Sequence, residues 1–148
     1  MSEQTVTVRL AQQRDYRFEI DFGAPVPALL ADEPPPLGQS TGPSPVQLLA
    51  AAVGNCLADS LLFALRKYKQ APEPIAAEVH AEVGRNAEGR VRVLALHATL
   101  TLGVPADTLA HLDRVLAQFE AFCTVTQSIA PAIPVTVAVR DAQGRTLK

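Results

Sequence analysis

Two cysteines, Cys56 and Cys123, are the residues of this chain best suited to covalent chemistry. A thiolate is the nucleophilic and redox-active form of cysteine. Two thiols from distant parts of one chain can serve as a reactive thiol and its resolving partner. The plainer role for either is packing, because free cysteine is among the most buried residue types. Cys56 falls about three turns into a long apolar run, SPVQLLAAAVGNCLADSLLFALRKY. A helix dipole acts mainly in the first turn, so it does not activate this thiol, and burial alone makes it inert. A reactive Cys56 therefore needs a cation from elsewhere. Arg14 and Arg17 are the candidates, since arginine stays charged and donates hydrogen bonds in a fixed fork. Their plainer role is a solvated hairpin. Asp59, one turn after Cys56, is a charge on an apolar helix, and a structural role is expected for it. Cys123 directly precedes Thr124, a candidate helix cap. A sulfur there sits near free N–H groups, which suits a resolving thiol.

Composition narrows the alternatives. The chain has 148 residues, which fits a single domain over 1–148 with a real core and no disulfide staples. A net charge of −2 and a pI near 5.9 give no reason to expect nucleic acid or an anionic membrane as partner. There is no Trp, and five Phe with two Tyr make no stacking platform for bases. The start, MSEQTVTVRL, shows no apolar run behind a basic segment. No stretch is read as a membrane span, so the cytoplasm is expected. A reducing compartment disfavours a permanent disulfide and allows a transient catalytic one. His80, His97 and His111 are scattered and, with two distant cysteines, make no metal-ligand spacing. No cofactor motif stands out either.

The elements that must carry these residues can be read from periodicity. Thr5 to Leu10 and Tyr16 to Phe22 alternate, with Phe18, Ile20 and Phe22 inward, and predict an antiparallel hairpin. The Pro-rich stretch from Gly23 to Pro45 is not helical. Ser44, Pro45 and Gln47 predict a capped helix running to about Lys69. It is apolar nearly all round, so it is expected to be buried, with a dimer helping to cover it. Ile75 to Val83 and Val91 to Leu102 predict two strands joined at Asn86 to Gly89. A second helix is expected over Ala106 to Phe122. A short helix capped by Thr124 and Gln127 follows, then a strand over Val135 to Val139 and a DAQG turn. The fold class is α+β, with antiparallel sheets packed around two main helices.

The stretch DEPPPLGQSTGPSPVQLLAAAVGNCL, Asp32 to Leu57, resembles the OsmC/Ohr family of osmotically inducible and organic hydroperoxide resistance proteins, in its OsmC-like branch. Cys123, in FCTVTQSI followed by IPVTV, falls where that family places its other cysteine. The resemblance covers essentially the whole chain. It implies an intertwined homodimer with two central helices covered by sheets from both chains. It also implies a thiol peroxidase reducing organic hydroperoxides. Cys56 would become a sulfenic acid, Cys123 would condense with it to a disulfide, and a dithiol reductant would restore the pair. The family's arginine lies in the N-terminal hairpin region; Arg14 fits the spacing best and Arg17 is the alternative. Two departures stand out. Val46 occupies the position where peroxidase members carry a Glu that orients the arginine, and Thr124 replaces the proline common after the second cysteine. Val46 favours an alternative, a non-catalytic protein holding a small apolar ligand on the same scaffold.

Overall fold

The computed structural model describes residues 3–148. The chain forms two compact units, Met1–Leu48 and Leu49–Lys148.

In the first unit, β1 (Arg9–Arg14), β2 (Arg17–Asp21) and β3 (Leu29–Ala31) make one antiparallel sheet in that order. The expected hairpin is present, but its connection, read at Gln12 to Arg14, lies at Asp15 and Tyr16, with Arg14 in β1 opposite Arg17. Its first strand begins at Arg9 rather than Thr5. The ladder runs out there, because Arg9 pairs with Asp21, the last residue of β2. Asp21 Oδ1 then accepts from the Gly23 N–H at 2.8 Å, and Gly23 takes φ +86°, turning the chain away. Ile20 is buried as expected, whereas Phe22, just past the strand, is exposed. β3 was not expected; Leu29 and Leu30 supply a short apolar segment between prolines that pairs with β2.

The Pro-rich stretch after β3 is organised by Asp32. Its carboxylate accepts from the Thr41 hydroxyl at 2.7 Å and from the N–H groups of Glu33, Gln39 and Thr41. These bonds, the Thr41 hydroxyl first, hold its pKa down at about 2. A side chain on Gly38 would collide with the Glu33 carbonyl and the Asp32 carboxylate, so this loop needs glycine there.

The long helix α1 (Pro45–Lys67) starts as its sequence predicts. Ser44 Oγ accepts from Gln47 N–H at 3.2 Å, and Gln47 Oε1 accepts from Ser44 N–H at 2.9 Å, a reciprocal capping box. Contrary to the sequence expectation, α1 has the length and mean hydropathy, 1.8, of a membrane span. It is nevertheless a core helix of its unit: Val53, Leu57, Leu61 and Leu65 form a buried stripe. Gly54 brings it close to the sheet, since a Cβ there would lie 2.8 Å from Val79 Cγ2. The expectation of burial on all sides does not hold within one chain. Asn55, Asp59 and Phe63 are exposed, and Phe63 keeps 71% of its surface.

The second unit's sheet has the order β4 (Ala76–Arg85), β5 (Val91–Thr101), β6 (Val135–Arg140). β4 and β5 form the expected hairpin, with Asn86 Oδ1 accepting from Glu88 and Arg90 N–H in the turn. β6 joins β5 in parallel, an addition to the expected antiparallel pairing. Leu96, Leu100, Val139 and the α1 stripe share the core. His80 and His97 sit on the outer strand positions, where they contact Glu78 and Glu82.

The expected helix over Ala106–Phe122 is divided. A 3-10 turn (Ala106–Thr108), α2 (Leu112–Gln118) and a second 3-10 turn (Phe119–Phe122) replace it. The break falls where His111 adopts φ +61° and stacks on Tyr68 with ring centroids 4.7 Å apart. Gln70 Oε1 accepts the Ala110 N–H that a continuous helix would spend on itself. α3 (Thr124–Ile129) then follows. Its N-cap is Cys123, not Thr124, and no side-chain cap forms; Gln127 N–H bonds to the Cys123 carbonyl. Asp141 organises the closing turn by accepting from Ala106, Gln143 and Arg145 N–H.

Candidate functional site

Helical period places Asp59, Ser60, Phe63 and Lys67 on one side of α1 with Cys56. This side lines a cavity of about 600 Å³, whose opposite wall includes Val115, Phe119, Phe122 and Thr124. Its lining is largely apolar. Phe63 and Phe122 stand at 71% and 75% exposure, so two large aromatic faces flank the opening without a covering partner among the described residues. Phe63 lies two turns from Cys56, a spacing the sequence shows, although reading the helix as buried on all sides concealed it. Phe122 was assigned to a helix face and not to a wall.

Cys56 is half-buried at this cavity, and Cys123 is fully buried beside it. The turn from Phe119 to Cys123 and the start of α3 deliver Cys123, and α1 delivers Cys56. The surroundings push the Cys56 thiol up. Burial is the main cause, and hydrogen bonding and charge from Cys123 and the Asp59 carboxylate add to it. One group opposes them: the backbone N–H of Val125 favours the thiolate. Asp59 accepts from Asn55 Nδ2 at 3.1 Å and has no cation partner among the described residues. Cys123 Sγ–H donates to Thr126 Oγ1 at 3.1 Å, a contact that sequence reasoning missed because Thr126 carried no signal of its own inside the short helix.

Arg14 and Arg17 belong to the first unit. They are cross-strand neighbours and both line a cavity of about 330 Å³ with Asp32, Gly38 and Thr41. Asp32 is occupied by its own loop, and neither arginine forms an ion pair among the described residues. Arg17 Nε is buried without an acceptor. Val46 lies in the first turn of α1. Of the four residues singled out from sequence, the two thiols thus come together in one unit and the two arginines in the other. Among the described residues, no His, Cys, Asp and Glu group has a metal-binding arrangement.

The fold is that of one family. The family described as OsmC-like protein matches residues 38–138, and the chain belongs to it. Solved structures share the fold at low identity. An OsmC-like protein of unknown function from Vibrio cholerae superposes with a TM-score of 0.77 at 18% identity, over 94% of this chain and 99% of its own length. An organic hydroperoxide resistance protein from Elizabethkingia anophelis gives 0.71 at 16% identity, over 95% of this chain and 98% of that one. The organic hydroperoxide resistance protein OhrB of Bacillus subtilis gives 0.69 at 14% identity, over 92% and 98%. None of the curated protein sequences matches this chain.

Proposed function

We propose that this protein is a two-cysteine thiol peroxidase that reduces organic hydroperoxides. The observation that carries the reading is a half-buried thiol in the wall of a mainly apolar cavity with a second thiol beside it. The Cys56 thiolate attacks the terminal peroxide oxygen. The O–O bond breaks, the alkoxide leaves and takes a proton to become an alcohol, and Cys56 becomes a sulfenic acid. The Cys123 sulfur then attacks the Cys56 sulfur. The S–OH bond breaks, and the departing hydroxide takes the Cys123 proton to give water. A dithiol reductant exchanges with the Cys56–Cys123 disulfide, restoring both thiols and leaving as a disulfide itself. Arg14 or Arg17 supplies the cation that Cys56 lacks in its own unit. The names of the hydroperoxide resistance proteins that share the fold support the reading. The apolar cavity favours an organic over a purely aqueous peroxide. The working form is a cytoplasmic homodimer, in which a second copy covers the exposed side of α1.

A second reading is a protein that binds a small apolar ligand without turnover. The raised Cys56 thiol and Val46 favour it. One experiment separates the two. Reduced protein is exposed briefly to stoichiometric cumene hydroperoxide or hydrogen peroxide and analysed by mass spectrometry. The peroxidase reading expects a fast Cys56–Cys123 disulfide with the organic peroxide, lost in Cys56→Ser. Thiols left free by both oxidants would replace it with the ligand-binding reading.

A further inference from the structure

We propose that Thr126 is a positioning residue for Cys123, holding its thiol in the reduced protein and steering the sulfur's attack on oxidised Cys56. The inference rests on the two-thiol reading above and adds the group that governs its second step.

The argument starts from an unspent donor. Thr126 is only 4% exposed, and its hydroxyl accepts the Cys123 S–H at 3.1 Å. A hydroxyl has one proton to donate as well as lone pairs to accept with. Among the described residues, the Thr126 hydroxyl has no hydrogen-bond partner other than Cys123 Sγ. Its helix neighbour behaves differently: Ser128 Oγ donates to the Thr124 carbonyl at 2.7 Å, the usual use of a helical hydroxyl. A buried donor without an acceptor costs stability, so such a proton is kept where another state of the protein uses it.

The second step supplies that state. As Cys123 attacks, its proton goes to the hydroxide leaving Cys56 and its sulfur carries developing negative charge. Thr126 then ceases to accept and, by rotation about one bond, donates to that sulfur. A hydrogen bond to a charged acceptor is about twice as strong as a neutral one. The hydroxyl therefore favours the attacking form more than the resting form. Val125, the residue before, favours the Cys56 thiolate through its backbone N–H. The first turn of α3 thus serves both sulfurs, one through the main chain and one through a side chain.

The test compares the reduced full-length protein with Thr126→Val, which keeps the shape and removes the hydroxyl, and Thr126→Ser, which keeps the hydroxyl. Oxidation is started with cumene hydroperoxide or with diamide, which closes dithiols without peroxide chemistry. Rapid quenching and mass spectrometry follow loss of the first thiol separately from disulfide closure. Thr126→Val is expected to lose its first thiol at the wild-type rate and to close the disulfide about tenfold more slowly with both oxidants. Thr126→Ser is expected to restore closure. In Cys56→Ser protein, the infrared S–H stretch of Cys123 is expected to move to higher frequency when the hydroxyl is removed, a change that packing alone would not produce. Wild-type closure by Thr126→Val with diamide, or an unmoved S–H stretch, overturns the proposal. Peroxide-inert wild-type thiols with Thr126-dependent diamide closure would overturn the peroxidase reading and leave the role of Thr126 standing.

Discussion

Removing both hairpin arginines is expected to expose the intrinsic reactivity of Cys56. Burial, Cys123 and Asp59 together raise this thiol above the ordinary 9.0. With those groups alone, about one thiol in a hundred or fewer is ionised at pH 7. A guanidinium within hydrogen-bonding reach lowers such a pKa by about 1–3 units. Arg14→Gln/Arg17→Gln should therefore slow the first oxidation by cumene hydroperoxide about 10- to 100-fold at pH 7. The sign of the pH dependence follows from the raised thiol. In the variant the rate should climb about tenfold per pH unit between 7 and 9, because the thiolate fraction does so below the pKa. In the wild type the climb should begin and level off at lower pH. Stopped-flow fluorescence or rapid-quench mass spectrometry from pH 6 to 10 reads both curves. The hairpin is largely solvent-exposed, so circular dichroism should show the variant folded. Superimposable profiles would refute the reasoning and remove both arginines from the chemistry. The single variants then decide which arginine serves.

Three other outcomes are expected. Leu57→Ala removes a fully buried side chain from the α1 stripe and should cost about 2–5 kcal/mol in urea unfolding, with the spread set by how far the site collapses. Phe122→Ala should scarcely change stability, because the ring is exposed, yet lower kcat/KM for aromatic hydroperoxides about 5- to 30-fold, from about 1–2 kcal/mol of lost apolar contact. Asp32 has its folded pKa depressed to about 2 from 3.8, so its contribution is fully present above pH 3.8 and fades as pH falls towards 2. Asp32→Asn should flatten that part of the acid-unfolding curve, as followed by circular dichroism, and lower the melting temperature at pH 7.

What the sequence revealed depended on how local the cause was. The Ser44–Gln47 box spans three residues, and both of its bonds form as read. The strand alternation survives from Leu96 to Leu102, where a half-buried sheet enforces a period of two, and fails at Leu94, which is exposed where the register against Glu82 and Val83 shifts. The start of β1 was misplaced because a strand ends where its partner ends, and that is a property of β2 and Gly23. The break at His111 was invisible to periodicity, since its cause is Gln70, forty residues away, capturing a backbone N–H. Asp32 was legible only as part of a motif; its role depends on donors up to nine residues further on. The site divides in the same way. Cys56 and Cys123 stood out by type, and the spacing of Phe63 from Cys56 was available. The hydroxyl of Thr126 gains meaning only from the sulfur against it.

The placement of charge gives the peroxidase reading its sharpest internal constraint. Beside Cys56, only the Val125 N–H favours the thiolate, against burial, a second thiol and a carboxylate. The surroundings of Cys56 in the second unit therefore favour its protonated form. The first unit has the opposite imbalance. Two arginines face each other across a hairpin, a repulsive pairing, without an ion-pair partner among the described residues. Asp32 does not relieve it, because its oxygens are taken by the loop. The family resemblance implies a carboxylate at position 46 to engage an arginine; with Val46 there, that positive charge would remain unclaimed. An arginine free of a carboxylate attracts a thiolate more strongly, but it is held less firmly in one orientation. Restoring the carboxylate with Val46→Glu should therefore raise the rate if orientation limits the first step. A lower rate would mean that the unclaimed charge is what makes Cys56 a nucleophile.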